Sequence, residues 1–265
     1  MKKFWFILTA LVATCFLVAC SGSQGVSPKT IKEKKKIVVA TESEFAPFEF
    51  KSLVNGKDTL VGADIELAKA IGEKLGVKVE FSVMSFDNVL ANVQSGKADI
   101  AIAGISVTDE RKKVYDFSDS YYTSENVVIV KKDKVNDYTS TDSLAKQTVG
   151  TQKGSVQETV AKKQIPKASV VSLASNGEMI NELKSGQLQA VVLEKAIAEG
   201  YIAQSDDLTL ANFNLKSDGT DAYAVATRKG SDDLLKEINA VIKETKDSGK
   251  FDQWLKEAST YKQSK

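Results

Sequence analysis

The stretch DIELAKAIGEKLGVKVEFSV, residues 64–83, holds two periodicities back to back. Ile65, Ala68, Ile71 and Leu75 recur at helical spacing, and Gly76 stands where a left-handed residue ends a helix. Val77, Val79, Phe81 and Val83 then alternate, as a strand with one covered face does. An apolar strand, Ile37 to Ala40, precedes the helix, and a helix Asp87 to Ser95, stopped by Gly96, leads into a buried strand Asp99 to Ala103. Strands alternating with helices of this length predict α/β architecture with mostly parallel sheets.

Further along the chain the scheme repeats. Strands are expected at Val127–Val130, Thr148–Thr151, Ser169–Leu173 and Ala190–Leu193, with helices at Val156–Lys163 and Gly177–Lys184. Ser155 stands three residues before Glu158, and Ser175 three before Glu178, which is the spacing of a capping box. Ser95-Gly96 and Ser185-Gly186 each lead into a buried strand, an internal echo that predicts two similar lobes. A length of 265 residues with 42% hydrophobic content suits two such lobes and excludes a disordered chain.

Composition removes several functions. There are 36 basic against 35 acidic residues, too even a balance for a general nucleic-acid binder. No histidine is present, which excludes Ser-His-Asp and Cys-His hydrolysis and His-ligated zinc. Acidic residues are dispersed, without calcium-loop spacing, so neither a metal nor a cofactor is expected.

Residues 1–19 read as an export signal: Lys2 and Lys3 precede the apolar run Phe4 to Ala19, short for a membrane span. Leu17-Val18-Ala19-Cys20 resembles the bacterial lipoprotein signal, in which Cys20 is lipidated and becomes the N-terminus. Cys15 would leave with the signal, so the mature chain would carry neither a free thiol nor a disulfide. Residues 20–36 are then the lipidated cysteine and a flexible polar tether, and attachment to the membrane is expected through lipid alone.

Two α/β lobes leave a cleft beyond the carboxyl ends of their strands. Those ends carry Glu42 to Phe50, Gly104 to Arg111, Gln152 to Val156, and Glu194. Only Arg111 and Arg228 are arginine in a lysine-rich chain, and a guanidinium grips a carboxylate through two parallel hydrogen bonds. Phe45 and Phe86 are candidate walls for a ligand side chain, whereas Phe48 and Phe50 are expected to pack beneath the lobe.

The segments ATESEFAPFEF (40–50), GADIEL (62–67), AGISVTDERKK (103–113) and DFS (116–118) resemble the extracytoplasmic binding proteins of polar amino acid ABC importers. The likeness runs from about Ile37 to Lys256, and the lipoprotein signal fits its Gram-positive form, held on the outer face of the cytoplasmic membrane. It implies a type II periplasmic-binding-protein-like fold. Lobe 1 would take residues 37–121 and 223–265, lobe 2 residues 126–217, with a two-strand hinge at 122–125 and 218–222. Strand Tyr223–Thr227 and helix Asp232–Asp247 would return to lobe 1, with Phe251 and Trp254 docked on it.

The same resemblance assigns roles. Arg111 would clamp an α-carboxylate, helped by Ser106 and by amides near Ser155 and Val156. Gly104, Ser106 and Glu194 would hold the α-ammonium. Glu42, Phe45, Phe86 and Gln152 would surround the side chain. The family often has Asp where this chain has Glu42 and Glu194, which affects the depth of the pocket. Two carboxylates against one guanidinium favour arginine or lysine, with glutamine as the alternative. The implied partners are a free L-amino acid and separate ABC permease and ATPase subunits, and a monomer is expected. The competing class is an enzyme resembling cyclohexadienyl dehydratase, with Glu194 or Glu42 as general acid.

Overall fold

The computed structural model describes residues 25–217 and 219–264. Its elements in chain order are α1 (Pro28–Lys34), β1 (Lys36–Thr41), β2 (Glu44–Phe45), β3 (Glu49–Val54), β4 (Lys57–Val61), α2 (Ala63–Leu75), β5 (Lys78–Val83), α3 (Phe86–Gln94), β6 (Ile100–Ala101), α4 (Asp109–Lys112), β7 (Tyr115–Phe117) and β8 (Tyr122–Thr123). They continue with β9 (Asn126–Lys131), β10 (Thr148–Gln152), α5 (Val156–Gln164), β11 (Ser169–Leu173), α6 (Asn176–Ser185), β12 (Ala190–Glu194), α7 (Lys195–Ala203), β13 (Leu208–Leu210), β14 (Ala222–Tyr223), β15 (Ala226–Arg228), α8 (Asp232–Asp247) and α9 (Lys250–Ala258).

Two five-stranded sheets share one plan. The first runs β5-β1-β6-β15-β7 and the second β11-β10-β12-β9-β13. In each, the first three strands pair in parallel and the fourth, β15 or β9, lies antiparallel to its neighbours. Both antiparallel strands follow a passage of the chain from one sheet to the other, and the passages pair as a short antiparallel ladder, Tyr122 opposite Tyr223. The internal echo in the sequence is this repeated topology.

Alternation along the strands sorts side chains onto both sheet faces. Ile37 and Val39 join Leu67, Ile71, Ile238, Ile242 and Phe251 in one core, while Ala40 turns to Phe86, Val89 and Val93 of α3. In the second sheet Val128 and Val130 pack with Val160 and Ala161 of α5. Helices therefore cover both faces of each sheet, the usual reason for parallel strands being apolar throughout. The crossing ladder sits in an aromatic cluster, with Phe48 and Tyr122 centroids 4.9 Å apart and Phe48 and Tyr223 5.4 Å apart.

Several expectations need correction. The tether does not extend to residue 36. Ser27 caps α1, Ile31 is fully buried, and the Val26 amide donates to Ser231 Oγ at 2.8 Å. Phe45 to Phe50 is not a bare loop, since β2, β3 and β4 form a small antiparallel sheet. The strand expected over Asp99–Ala103 pairs only at Ile100–Ala101. The return segment is two short strands, β14 and β15, rather than one. Neither capping box is complete. The Ser155 hydroxyl donates to the Gln152 carbonyl at 2.6 Å while Glu158 reaches past it to the Gly154 amide, and Ser175 caps Glu178 but also donates to Glu44. The signal segment, Cys20 and Asp218 of the expected hinge lie outside the described residues.

Candidate functional site

The carboxyl ends of β1, β6, β10 and β12 face one another across the two halves. Glu42 leaves β1, Gly104 and Ser106 follow β6, Gln152 ends β10 and Glu194 ends β12. Ser155 and Val156 open α5, Phe86 opens α3, and Arg111 sits on α4, whose N-cap Thr108 accepts from the Arg111 amide at 3.1 Å.

Arg111 joins the halves directly. Its Nη1 donates to the Ser106 carbonyl at 2.7 Å and its Nη2 to the Gly154 carbonyl at 3.1 Å, and its guanidinium carbon lies 5.9 Å from the centre of the Phe86 ring. Burial lowers its pKa to about 10, opposed by Glu194 and Tyr115, so it stays charged at neutral pH. On the opposite side, Gln152 Nε2 donates to both oxygens of Glu42 at 3.1 Å. Burial raises the Glu42 pKa to about 8, against the Gln152 hydrogen bond and with help from Glu44 and Glu194. Glu194 is also buried; burial lifts its pKa to about 7, while Gln157 at 2.7 Å and Arg111 pull it down. Two acids buried this deeply are expensive to ionise without a cationic partner.

The α5 terminus is shaped for an anion. Because the Ser155 hydroxyl turns back to Gln152, it leaves the first amides of this nine-residue helix uncapped by its side chain, beside Arg111. Gly104 has a left-handed φ of 53°, and a Cβ there would stand 2.6 Å from the Phe45 ring. Glycine thus lets the Gly104 peptide lie against that ring. The Phe45 ring packs tilted against Phe48 and Tyr223, which makes it part of the aromatic cluster around the crossing strands as well as a neighbour of Gly104.

Among the sequence-selected residues Arg111 meets Ser106 and Phe86, Gln152 meets Glu42 and Ser155, and Gly104 lies against Phe45, and three further features emerge. Gln157 bridges Glu194 and Asn126 Oδ1, both at 2.7 Å, and orients the acid. Glu44 spans the halves, accepting from Ser175 Oγ at 2.5 Å and the Gly177 amide at 3.1 Å at the start of α6. Lys153 pairs with Asp87 at 2.9 Å on the rim. A broader groove of about 870 Å³ runs outside the cleft, lined by Glu44, Ser175, Tyr201 and Gln263, but it is open and lacks the opposed buried charges. Among the described residues no three metal-binding side chains cluster.

Two matching α/β lobes that meet over one guanidinium and two buried acids define a two-lobed solute-binding protein. The chain belongs to the bacterial extracellular solute-binding proteins, family 3, whose pattern matches residues 37–258. It is 34% identical to the arginine-binding extracellular protein ArtP of Bacillus subtilis over 97% of each chain. It is 32% identical to the glutamine-binding protein GlnH of the same organism, covering 97% of this chain and 98% of that one. Among solved structures, the amino acid ABC transporter substrate-binding protein AbpA from Streptococcus pneumoniae, bound to L-arginine, superposes with a TM-score of 0.85. That structure is 50% identical and covers 87% of this chain and 97% of its own. The fold is accordingly the type II periplasmic-binding-protein fold expected from the sequence.

Proposed function

We propose that the protein captures free L-arginine between its lobes and delivers it to an ABC permease driven by separate ATPase subunits. The observation that carries this reading is the charge count in the cleft: two buried carboxyls, Glu42 and Glu194, against one guanidinium, Arg111. A bound arginine contributes two cationic ends and one anionic end, so every buried charge acquires a partner.

In this reading the α-carboxylate takes the fork of Arg111 and the amides at the start of α5. The α-ammonium sits on the Gly104 carbonyl, Ser106 and Glu194. The distal guanidinium meets Glu42 between Phe45 and Phe86, and Gln152 holds Glu42 in place. The strands β8 and β14 act as the hinge, with lobe 1 formed by residues 37–121 and 223–265 and lobe 2 by 126–217. The helix α1, capped by Ser27 and anchored through Ile31, belongs to the folded body with lobe 1. Closure is driven by differential affinity: the ligand gains contacts to both lobes only when they meet. Glu44 on Ser175 and Gly177, and Asp87 on Lys153, tie the rims in the closed form.

No bond chemistry is assigned to Glu42 or Glu194. Cys20 would carry the lipid that holds a monomer on the outer face of the cytoplasmic membrane. The arginine-binding relatives support the ligand, and the family supports the extracytoplasmic setting.

Isothermal titration of the body starting after Cys20 against the common amino acids tests the assignment. Arginine is expected to bind one to one and to outcompete lysine and glutamine. Glutamine binding more tightly than arginine, or turnover of prephenate or arogenate, would overturn it.

A further inference from the structure

Glu49 and Asp64 form a buried acid pair that the cleft chemistry leaves unexplained. Both are fully inaccessible. Asp64, the second residue of α2, spends one oxygen twice: Oδ2 accepts from the Gly104 amide at 3.1 Å and from the Tyr121 hydroxyl at 2.8 Å. Its Oδ1 and both oxygens of Glu49 find no other donor. Burial first, and then the neighbouring Asp64, Glu42 and Glu194, push the Glu49 pKa well up. Two acids buried side by side do not both ionise, so Glu49 keeps its proton and Asp64, which accepts two hydrogen bonds, carries the charge.

The two groups held by Asp64 matter for the ligand. Gly104 carries the carbonyl assigned to the α-ammonium, and with φ at 53° and no side chain it has nothing of its own to fix it. Tyr121 immediately precedes β8, and its amide donates to the Tyr223 carbonyl at 3.0 Å, on the crossing ladder.

We infer that Asp64 is a positioning residue, which fixes the Ala103–Gly104 peptide and so the backbone leading into the Gly104 carbonyl assigned to the α-ammonium, and ties it to the crossing strand through Tyr121. This rests on the amino-acid reading of the cleft. Asp64 acts through Gly104 and touches no ligand atom.

The test uses the soluble body with Asp64→Leu, which has no acceptor, and Asp64→Asn, whose amide oxygen still accepts. In titration with arginine the leucine variant is expected to lose about tenfold or more in affinity, and the asparagine variant about threefold or less, the size of effect that orphaned buried donors produce. Displacement of labelled arginine by 5-guanidinopentanoate, arginine without its α-ammonium, separates positioning from general loosening. The leucine variant is expected to bind this analogue nearly as the wild type does. Equal losses for both ligands, or a folded leucine variant with unchanged arginine affinity, overturn the inference. If the leucine variant does not fold, the Gly104 amide proton of the arginine-bound asparagine variant decides. It should move upfield from its wild-type position, and an unmoved resonance refutes the contact. A wild type that ignores arginine and binds another amino acid refutes the ligand assignment instead, and the same variants are then read with that amino acid and its desamino form.

Discussion

Arginine binding should expel protons, and the effect can be sized from the cleft. Without a cationic partner, burial holds the Glu42 pKa at about 8 and that of Glu194 at about 7. A bound arginine sets a guanidinium against the first and an ammonium near the second, so both become carboxylates. One unit of pKa is about 1.4 kcal/mol, so ionising Glu42 at pH 7 costs about that much, roughly tenfold in affinity. Affinity is therefore expected to rise with pH, by up to about tenfold per unit for each acid still protonated, and to level off above about pH 8. Between pH 6 and pH 8 the gain should reach about two to three orders of magnitude.

Isothermal titration at pH 6, 7, 8 and 9, repeated in two buffers of different ionisation enthalpy, measures both the slope and the protons released. Close to two protons per arginine are expected to leave at pH 6 and only about half a proton at pH 8. Glu42→Gln should remove the upper part of the slope and leave that of Glu194. A pH-independent affinity with no buffer dependence would refute the reasoning, because it would mean that the acids are ionised before the ligand arrives. The sign for stability is opposite: these folded-state pKa values lie above the ordinary value of 4.5, so the contribution is full below that pH and is lost as pH rises through the folded values. The ligand-free melting temperature should therefore fall between pH 5 and pH 8, while the arginine complex is held against that fall.

Arg111→Lys should weaken arginine binding by about a hundredfold, since an ammonium cannot reproduce a two-point grip on a carboxylate; titration with affinity unchanged would show the carboxylate site to be misplaced. Gly104→Ala puts a Cβ 2.6 Å from the Phe45 ring at a φ of 53°, and is expected to cost about 1–3 kcal/mol of stability in urea unfolding along with reduced affinity. Ile31→Ala should destabilise the body by about 2–5 kcal/mol, because Ile31 is fully buried, whereas a loss under about 0.5 kcal/mol would return α1 to the status of a tether. Glu44→Ala, which breaks the contact with Ser175 and Gly177, should shift the ligand-free population toward the open form, read as a larger radius of gyration by small-angle scattering, with no change expected if the rim contact contributes nothing to closure.

What the sequence discloses depends on whether a signal is local. The switch from helical to alternating periodicity at Gly76 located α2 and β5 because both halves of the pattern lie within twenty residues. Glu42, Gln152 and Glu194 can be picked from the sequence because they stand at strand ends, where a parallel sheet opens, whereas Phe86, Arg111 and Val156 lie on helices and are picked by the family resemblance. By contrast, α1 reads as a polar tether since Ile31 is the sole fully buried side chain on a lysine-rich helix, and no periodicity arises from one residue. The strands β2 and β3 are hidden by acidic residues interleaved with the phenylalanines, and α7 by following β12 with no loop between. Ser155 has the spacing of a capping residue, but its hydroxyl finds a closer acceptor in the Gln152 carbonyl, a choice that tertiary geometry makes. Contacts such as Glu44 with Ser175, 131 residues apart, or Asp64 with Gly104 leave no local trace at all.

The most direct measurement is a crystal structure of the body grown with arginine. The account predicts the α-carboxylate across the two terminal nitrogens of Arg111, the ammonium between the Gly104 carbonyl and Glu194, and the ligand guanidinium on Glu42 where Gln152 now donates. Arginine lodged in the outer groove between α6 and α7, or Arg111 turned to solvent while the cleft is occupied, would contradict it.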